Sequence, residues 1–256
     1  MLKRTKLWAL VAAIAIGLTG CGGAPDADEG DGPLLVLMAA SLSEALPEVV
    51  ERFEEETGQE VTLVPGATGT LAAQIENGAP ADVFFSADES TVARLADAGR
   101  IRRETMRPYA EGRLAIVWRE GIEPPASLVA LSEGPYEVIS IANPEVAPYG
   151  LAAQQALEGA AVWESVEGVI VRGGNVADAY QYVRTGNADA GIVALSVVDT
   201  DSEPYLLVDP TLHEPIRQVA GVVEGSTNPA AERFLDFVTG AEGQEILGRH
   251  GFAAPR

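Results

Sequence analysis

The polar residues that stand out in this sequence by type and spacing are neutral, and they sit where strands give way to helices. Ser41 follows the short apolar run 36–40 and precedes Leu42, Leu46, Val49, Val50 and Phe53, which are spaced for one helix face. It stands where an N-cap belongs, with Glu44 three residues on in capping-box spacing. Thr68, Gly69 and Thr70 occupy the next such junction, a tight loop after Pro65-Gly66, and either threonine suits a cap. Tyr149 lies where the loop 143–150 enters a helix. Asn175 follows Gly173-Gly174 and leads into Val176, Ala179, Tyr180 and Val183, with Asp178 as its N3 partner. A strand ending at a helix N-terminus leaves unpaired N–H groups and the positive end of the dipole at one spot, which favours an anion. One such junction alone is a capping residue and nothing more. Their recurrence points to a shared site of hydroxyls and backbone N–H groups: Ser41, Thr68, Gly69, Tyr149, Asn175 and Val176.

Signatures of covalent chemistry are missing. The sequence holds no nucleophile elbow, P-loop, dinucleotide fingerprint or zinc-ligand spacing. His213 and His250 lie far from these loops, and acids such as Glu51, Glu54, Glu55 and Glu56 read as a solvated helix face. Trp118 and Trp163 read as packing residues. The expectation is a binding protein and not an enzyme, with no resident metal or cofactor.

The elements that must position these groups alternate. A strand and helix from about 34 to 57 are followed by a strand at 60–64, a helix at 71–76 closed by Asn77-Gly78, and a buried strand at 83–85. A helix then starts at Ser86-Ala87-Asp88 and ends at Gly99. Three successive β-α units predict a parallel sheet with helices on both faces. A second set spans roughly 120–205. Strands are predicted at 114–118, 138–141, 169–171 and 191–195, with a helical turn at 128–131 and helices at 149–158 and from Asn175 to Thr185. A strand at 219–223 follows, then a helix with Pro229 at its first position and a last short helix carrying Ile246 and Leu247. The fold class is therefore α/β. Two Rossmann-like lobes are joined by two crossover strands, with lobe 1 at 34–117 and 220–256 and lobe 2 at 118–219. Such an arrangement puts a ligand cleft where strand ends converge between the lobes.

The chain has 256 residues, 47% of them hydrophobic, ample for such a core. Its first 20 residues read as a secretory signal peptide: Lys3, Arg4 and Lys6, then an apolar run from 7 to 16, too short to span a membrane. The ending Leu18-Thr19-Gly20-Cys21 resembles a bacterial lipobox, which implies cleavage before Cys21 and lipid on its thiol. Cys21 is the single cysteine, so no internal disulfide is expected. Residues 21–33 then form a flexible tether of Gly, Ala, Pro, Asp and Glu. The formal charge is −21, and loss of the three leader cations takes it to −24, because residues 1–20 hold no acid. That surface repels nucleic acid and anionic lipid. Helix-end dipoles still act at contact range, where salt screens the distant charges more than the adjacent N–H groups.

From about residue 34 to 252 the chain resembles the molybdate-binding proteins of ABC transporters, which are class II periplasmic-type solute-binding proteins. The resemblance rests on Ala39-Ala40-Ser41-Leu42, on Gly69-Thr70-Leu71-Ala72-Ala73-Gln74-Ile75-Glu76, and on Gly78-Ala79-Pro80-Ala81-Asp82-Val83-Phe84. It continues through Ser86-Ala87-Asp88, Asn143-Pro144, Pro148-Tyr149-Gly150 and Gly191-Ile192-Val193. It implies a tetrahedral oxyanion held by the hydroxyls of Ser41 and Thr68 and the backbone N–H groups of Tyr149 and Val176, with Gly69 and Asn175 as accessory candidates. Some members place a tyrosine hydroxyl on the anion where this chain has Ala194. Another branch lacks that tyrosine and carries Pro-Tyr-Gly, as here.

A donor-only site suits a dianion with no proton of its own, which molybdate and tungstate are. Phosphate carries a proton near neutrality and would need a carboxylate acceptor. Sulfate is separated from molybdate only by size. The expected protein is thus a monomeric receptor in the cell envelope, held to the membrane by its lipid alone and facing the periplasm or the cell exterior. It would hand molybdate or tungstate to a permease with a cytoplasmic ATPase. The alternatives are a sulfate- or thiosulfate-type receptor, a sensory or adhesion lipoprotein, and an enzyme using the same cleft.

Overall fold

The computed structural model describes residues 32–255. The expected signal peptide, Cys21 and most of the tether lie outside the described residues. The chain enters through β1 (Leu34–Ala39), a 3-10 turn (Ala40–Leu42) and α1 (Ala45–Thr57). It continues through β2 (Val61–Gly66), α2 (Thr68–Glu76), β3 (Val83–Ser86), α3 (Glu89–Asp97) and β4 (Arg107–Gly112). A second body follows: β5 (Leu114–Trp118), α4 (Ala130–Glu133), β6 (Ile139–Ala142), α5 (Pro148–Gly159) and α6 (Trp163–Val166). Next come β7 (Ile170–Gly173), α7 (Val176–Arg184), β8 (Ala190–Ala194), a 3-10 turn (Leu195–Val197) and β9 (Leu206–Leu207). The chain then returns through β10 (Ile216–Val222), α8 (Ala230–Thr239) and α9 (Ala241–Arg249).

Among the described residues these strands form two five-stranded sheets, in the orders β2-β1-β3-β10-β4 and β7-β6-β8-β5-β9. In each, the three strands that carry β-α units are parallel, and the strands that link the lobes join antiparallel. The fold is an α/β pair of lobes with crossover strands, as expected. Leu114–Trp118 pair with β8 in the second sheet, although the sequence division placed 114–117 with lobe 1. Ile216–Val219 pair with β4 in the first sheet, although the division placed them with lobe 2. Both crossings therefore lie earlier in the chain than hydrophobic patterning implied, because an apolar strand reads alike in either sheet.

Side chains of β1 and β3 alternate between the two faces of the first sheet, as a period of two requires. Val36, Met38 and Phe85 pack with Phe53 of α1 and Phe234 of α8, while Leu37 and Phe84 pack with Leu71 of α2 and Leu95 of α3. Phe234 meets Phe53 and Phe85 edge-on, with centroids 5.0 and 5.8 Å apart. Burying each such side chain contributes about 1.5–3 kcal/mol. Between the lobes the packing changes character. Ala39, Ala40, Ala67 and Ala87 join the core of the second lobe, so small side chains let the two backbones approach.

Three local readings differ from the structure. Ser41 is not an N-cap: it sits inside the 3-10 turn, α1 starts four residues later, and Glu44 makes no capping bond. Thr68 lies in the first turn of α2 behind an Ala67 N-cap, and Thr70 is exposed. Strand β4 escaped the sequence reading because Pro108 and Glu111 interrupt its apolar pattern. As the edge strand of its sheet it tolerates a proline. Asn175, by contrast, caps α7 as expected, accepting from the N–H groups of Ala177 and Asp178.

Candidate functional site

Five chain junctions meet between the lobes. From lobe 1 come the end of β1 with Ala40 and Ser41, the start of α2 with Ala67 and Thr68, and Ala87 after β3. From lobe 2 come Ala147, Pro148 and Tyr149 at the start of α5, and Asn175 with Val176 at the start of α7. Together with Ala39 and Gly66 they line one cavity. It is small, about 10 Å³, the least space that holds one water. Ser41, Thr68, Tyr149 and Val176 are each no more than 3% exposed. The structure thus brings all four expected ligand residues to one small space between the lobes.

The donors at these junctions are set by local structure. The Thr68 hydroxyl accepts from the Ala87 N–H at 3.0 Å, which leaves its own proton to donate. The Ser41 hydroxyl donates to Gln218 Oε1 at 3.3 Å, a long contact, and its carbonyl accepts from Ser196 Oγ at 2.8 Å. Tyr149 and Val176 lie in the first turns of α5 and α7, where backbone N–H groups have no acceptor within the helix. None of the cavity-lining residues is charged. The site is a set of neutral donors fed by two helix dipoles.

The two accessory candidates behave differently. Gly69 lies outside the cavity lining, and its N–H donates to Val146 O at 2.8 Å, directly across the lobe boundary. It ties the lobes together instead of offering that donor to a ligand. A Cβ there would stand 3.1 Å from the same carbonyl oxygen, so the close approach favours glycine. Asn175 lines the cavity, but its side chain is engaged. Oδ1 accepts from Ala177 and Asp178, and Nδ2 donates to Asp178 Oδ2 at 3.0 Å. It shapes the loop that presents Val176.

Behind Ser41 lies a polar cluster. Gln218 Oε1 accepts from the Tyr109 hydroxyl at 2.8 Å, and its Nε2 donates to the Tyr149 hydroxyl at 2.9 Å. The tyrosine side chain of lobe 2 thereby reaches under lobe 1. It passes so close to Gly112 that a Cβ there would fall 2.2 Å from the hydroxyl oxygen. Burial pushes both phenols well above the ordinary tyrosine range, so both remain neutral donors at any physiological pH.

A sequence model of the family described as bacterial extracellular solute-binding protein matches residues 34–253. The chain belongs to that family. A molybdate-binding protein of Azotobacter vinelandii, ModA, is 36% identical over 250 residues, covering 95% of this chain and 96% of that one. The putative ABC transporter substrate-binding lipoprotein YvgL of Bacillus subtilis is 29% identical, covering 99% and 100%. Among solved structures, the Azotobacter vinelandii periplasmic molybdate-binding protein superposes with a TM-score of 0.82 at 30% identity, over 87% of this chain and all of that one.

Within this solute-binding fold, no group of three or more His, Cys, Asp or Glu side chains is placed to hold a metal among the described residues. His250 pairs with Glu48 on the surface of lobe 1, and His213 meets the Glu214 carbonyl. Ala194 ends β8 fully buried, and two residues later Ser196 makes the interlobe bond to Ser41. Sequence reasoning missed Gln218, Tyr109, Ser196 and Gly112. Gln218 had a signal: an amide at i+2 from Ile216 and i−2 from Ala220, on the inward face of an apolar strand. Ser196 and Gly112 had none, because their roles are set by contacts far away in sequence.

Proposed function

We propose that the chain is an extracytoplasmic receptor for a tetrahedral oxyanion dianion, molybdate or tungstate, which it binds between the lobes and presents to an ABC permease with its ATPase. The observation that carries this reading is the cavity itself, uncharged and lined from both lobes by residues that hold hydroxyl and backbone N–H donors. Ser41 and Thr68 supply hydroxyls, and Tyr149 and Val176 supply backbone N–H groups at helix starts. A dianion held by such hydrogen bonds keeps its charge without a desolvated counter-ion beside it. No lining residue is a carboxylate that could accept a proton from hydrogen phosphate. The similarity to a molybdate-binding protein over nearly the whole chain supports the same ligand class.

Binding is hinge closure, with no chemical step. The ligand bridges the lobes because neither half holds enough donors alone. Anchoring through lipid on Cys21 and a monomeric state complete the proposal, and the similarity to a substrate-binding lipoprotein supports the anchor. Isothermal titration with molybdate, tungstate, sulfate and phosphate tests the ligand. The expected result is one-to-one binding of molybdate and tungstate, with sulfate weaker and phosphate silent. Tightest binding of sulfate would move the assignment to a sulfate-type receptor. Silence with all four would remove the oxyanion reading.

A further inference from the structure

Gln218 is an unusual residue for its place. It is wholly buried on β10, the strand by which the chain re-enters lobe 1, and an amide there costs stability unless every polar atom is bonded. Both ends are bonded, to hydroxyls from three different elements. The carbonyl end takes Tyr109 of β4 and Ser41 of the first 3-10 turn, and the amino end holds Tyr149 of α5. Tyr109 and Ser41 belong to lobe 1, and Tyr149 belongs to lobe 2. One side chain therefore spans the two halves of the cavity from behind. Gly112, lacking a Cβ, makes the room that lets Tyr149 reach it.

Two consequences follow from the distances. The Ser41 hydroxyl meets Gln218 by a long contact, at 3.3 Å, so its proton can turn into the cavity at small cost. When it does, Oε1 keeps the 2.8 Å bond from Tyr109, and no buried group is orphaned. The Tyr149 bond, at 2.9 Å, is of ordinary length and ties the start of α5, which carries the Tyr149 N–H, to lobe 1. Closure is thereby stopped at one separation of the Ser41 and α5 donors.

We propose that Gln218 is a positioning and size-setting residue of the oxyanion site, holding Ser41 and Tyr149 at the fixed span that selects among tetrahedral anions by bond length. This rests on the oxyanion reading above. Molybdate and sulfate carry the same charge and the same acceptors, so a cavity of fixed span is what separates them.

The test measures affinity for molybdate and for sulfate, together with melting temperature, in the wild type, Gln218→Leu and Gln218→Leu/Tyr149→Phe. The single variant leaves the buried Tyr149 hydroxyl short of a partner and should lose melting temperature. The double variant removes both members of the Tyr149 bond, and Tyr109 keeps the Ser86 carbonyl at 3.1 Å, so melting temperature should be regained in part. In both, molybdate affinity should fall about tenfold, and the molybdate-to-sulfate ratio should shrink severalfold because the span is no longer fixed. A ratio within about twofold of wild type in both variants overturns the proposal and leaves the oxyanion reading standing. So does a ratio that recovers together with melting temperature in the double variant, since that is the mark of a merely structural amide. A wild type that binds neither anion removes the reading and the proposal together.

Discussion

The two lobes contribute to one cavity by different means. Lobe 1 offers side chains: the hydroxyls of Ser41 and Thr68, each at a chain turn and neither capping its helix. Lobe 2 offers backbone, the first-turn N–H groups of Tyr149 and Val176. There the side chains do other work, Asn175 capping α7 and the Tyr149 hydroxyl reaching Gln218. A hydroxyl can be deleted by one substitution, whereas a backbone donor is fixed by the fold and survives most changes of side chain. The lobe 1 half is thus the half that single substitutions can alter, and the lobe 2 half is set by the geometry of two helix starts.

The sharpest way to break that contrast is to remove a backbone donor without disturbing its helix. Val176 is the first residue of α7, where proline is tolerated, and Asn175 before it is extended, at φ −150° and ψ −177°. Val176→Pro should keep the fold and lose about ten- to a hundredfold in molybdate affinity, the value of one charge-assisted bond at about 1.5–3 kcal/mol. Calorimetry and a melting curve on the same sample check both halves of that statement.

Ser41→Ala should lose a similar ten- to hundredfold in affinity, at about 1.5–3 kcal/mol, with little change in melting temperature, because the bond it gives up to Gln218 is long. Thr68→Ala should lose affinity and stability together, since it also strands the buried Ala87 N–H, at a cost of about 1–3 kcal/mol. Thr68→Ser should restore both. If Ser41→Ala lowered stability and spared affinity, the lobe 1 hydroxyls would be structural.

A smaller effect is expected at Asn175. Asn175→Ala removes a cap worth about 1 kcal/mol, which lowers the melting temperature by about 2–4 °C, with a modest loss of affinity through a looser Val176 loop. The smallest effect is on pH and salt. No cavity-lining group titrates near neutrality, so molybdate affinity should stay flat from about pH 6 to 9. Added salt should change it little, or help by screening the acidic surface. Folding stability should behave differently at high pH. Tyr109 and Tyr149 have their pKa values raised by burial, so stability is complete below the ordinary tyrosine value of about 10 and falls as pH rises past it.

How much of this was legible in the sequence follows the range of the interactions. The β-α units and the Asn175 cap depend on neighbours a few residues apart, and the periodicity and the Asn-x-x-Asp spacing carried them. The gathering of Ser41, Thr68, Tyr149 and Val176 was legible only as a repeated strand-to-helix junction and through resemblance. The local conformation of Ser41 differs from the N-cap expected, because capping-box spacing is also satisfied by a serine in a 3-10 turn. The Gln218 cluster depends on contacts 69, 109 and 177 residues apart, which no local pattern encodes. The crossing points differ for a related reason: β5 is an apolar run and β10 opens on Ile216-Arg217-Gln218, and nothing local says which sheet either joins.

The central claim is that one oxyanion sits between the lobes, bonded from lobe 1 by hydroxyls and from lobe 2 by backbone N–H groups. Crystals grown with molybdate and measured at the molybdenum absorption edge test it directly. The account predicts one anomalous peak inside the cavity, within about 4.5 Å of Ser41 Oγ, Thr68 Oγ1, Tyr149 N and Val176 N, a metal–oxygen bond plus a hydrogen bond away from each. A peak elsewhere on the protein, or an empty cavity in crystals grown with saturating molybdate, would contradict it.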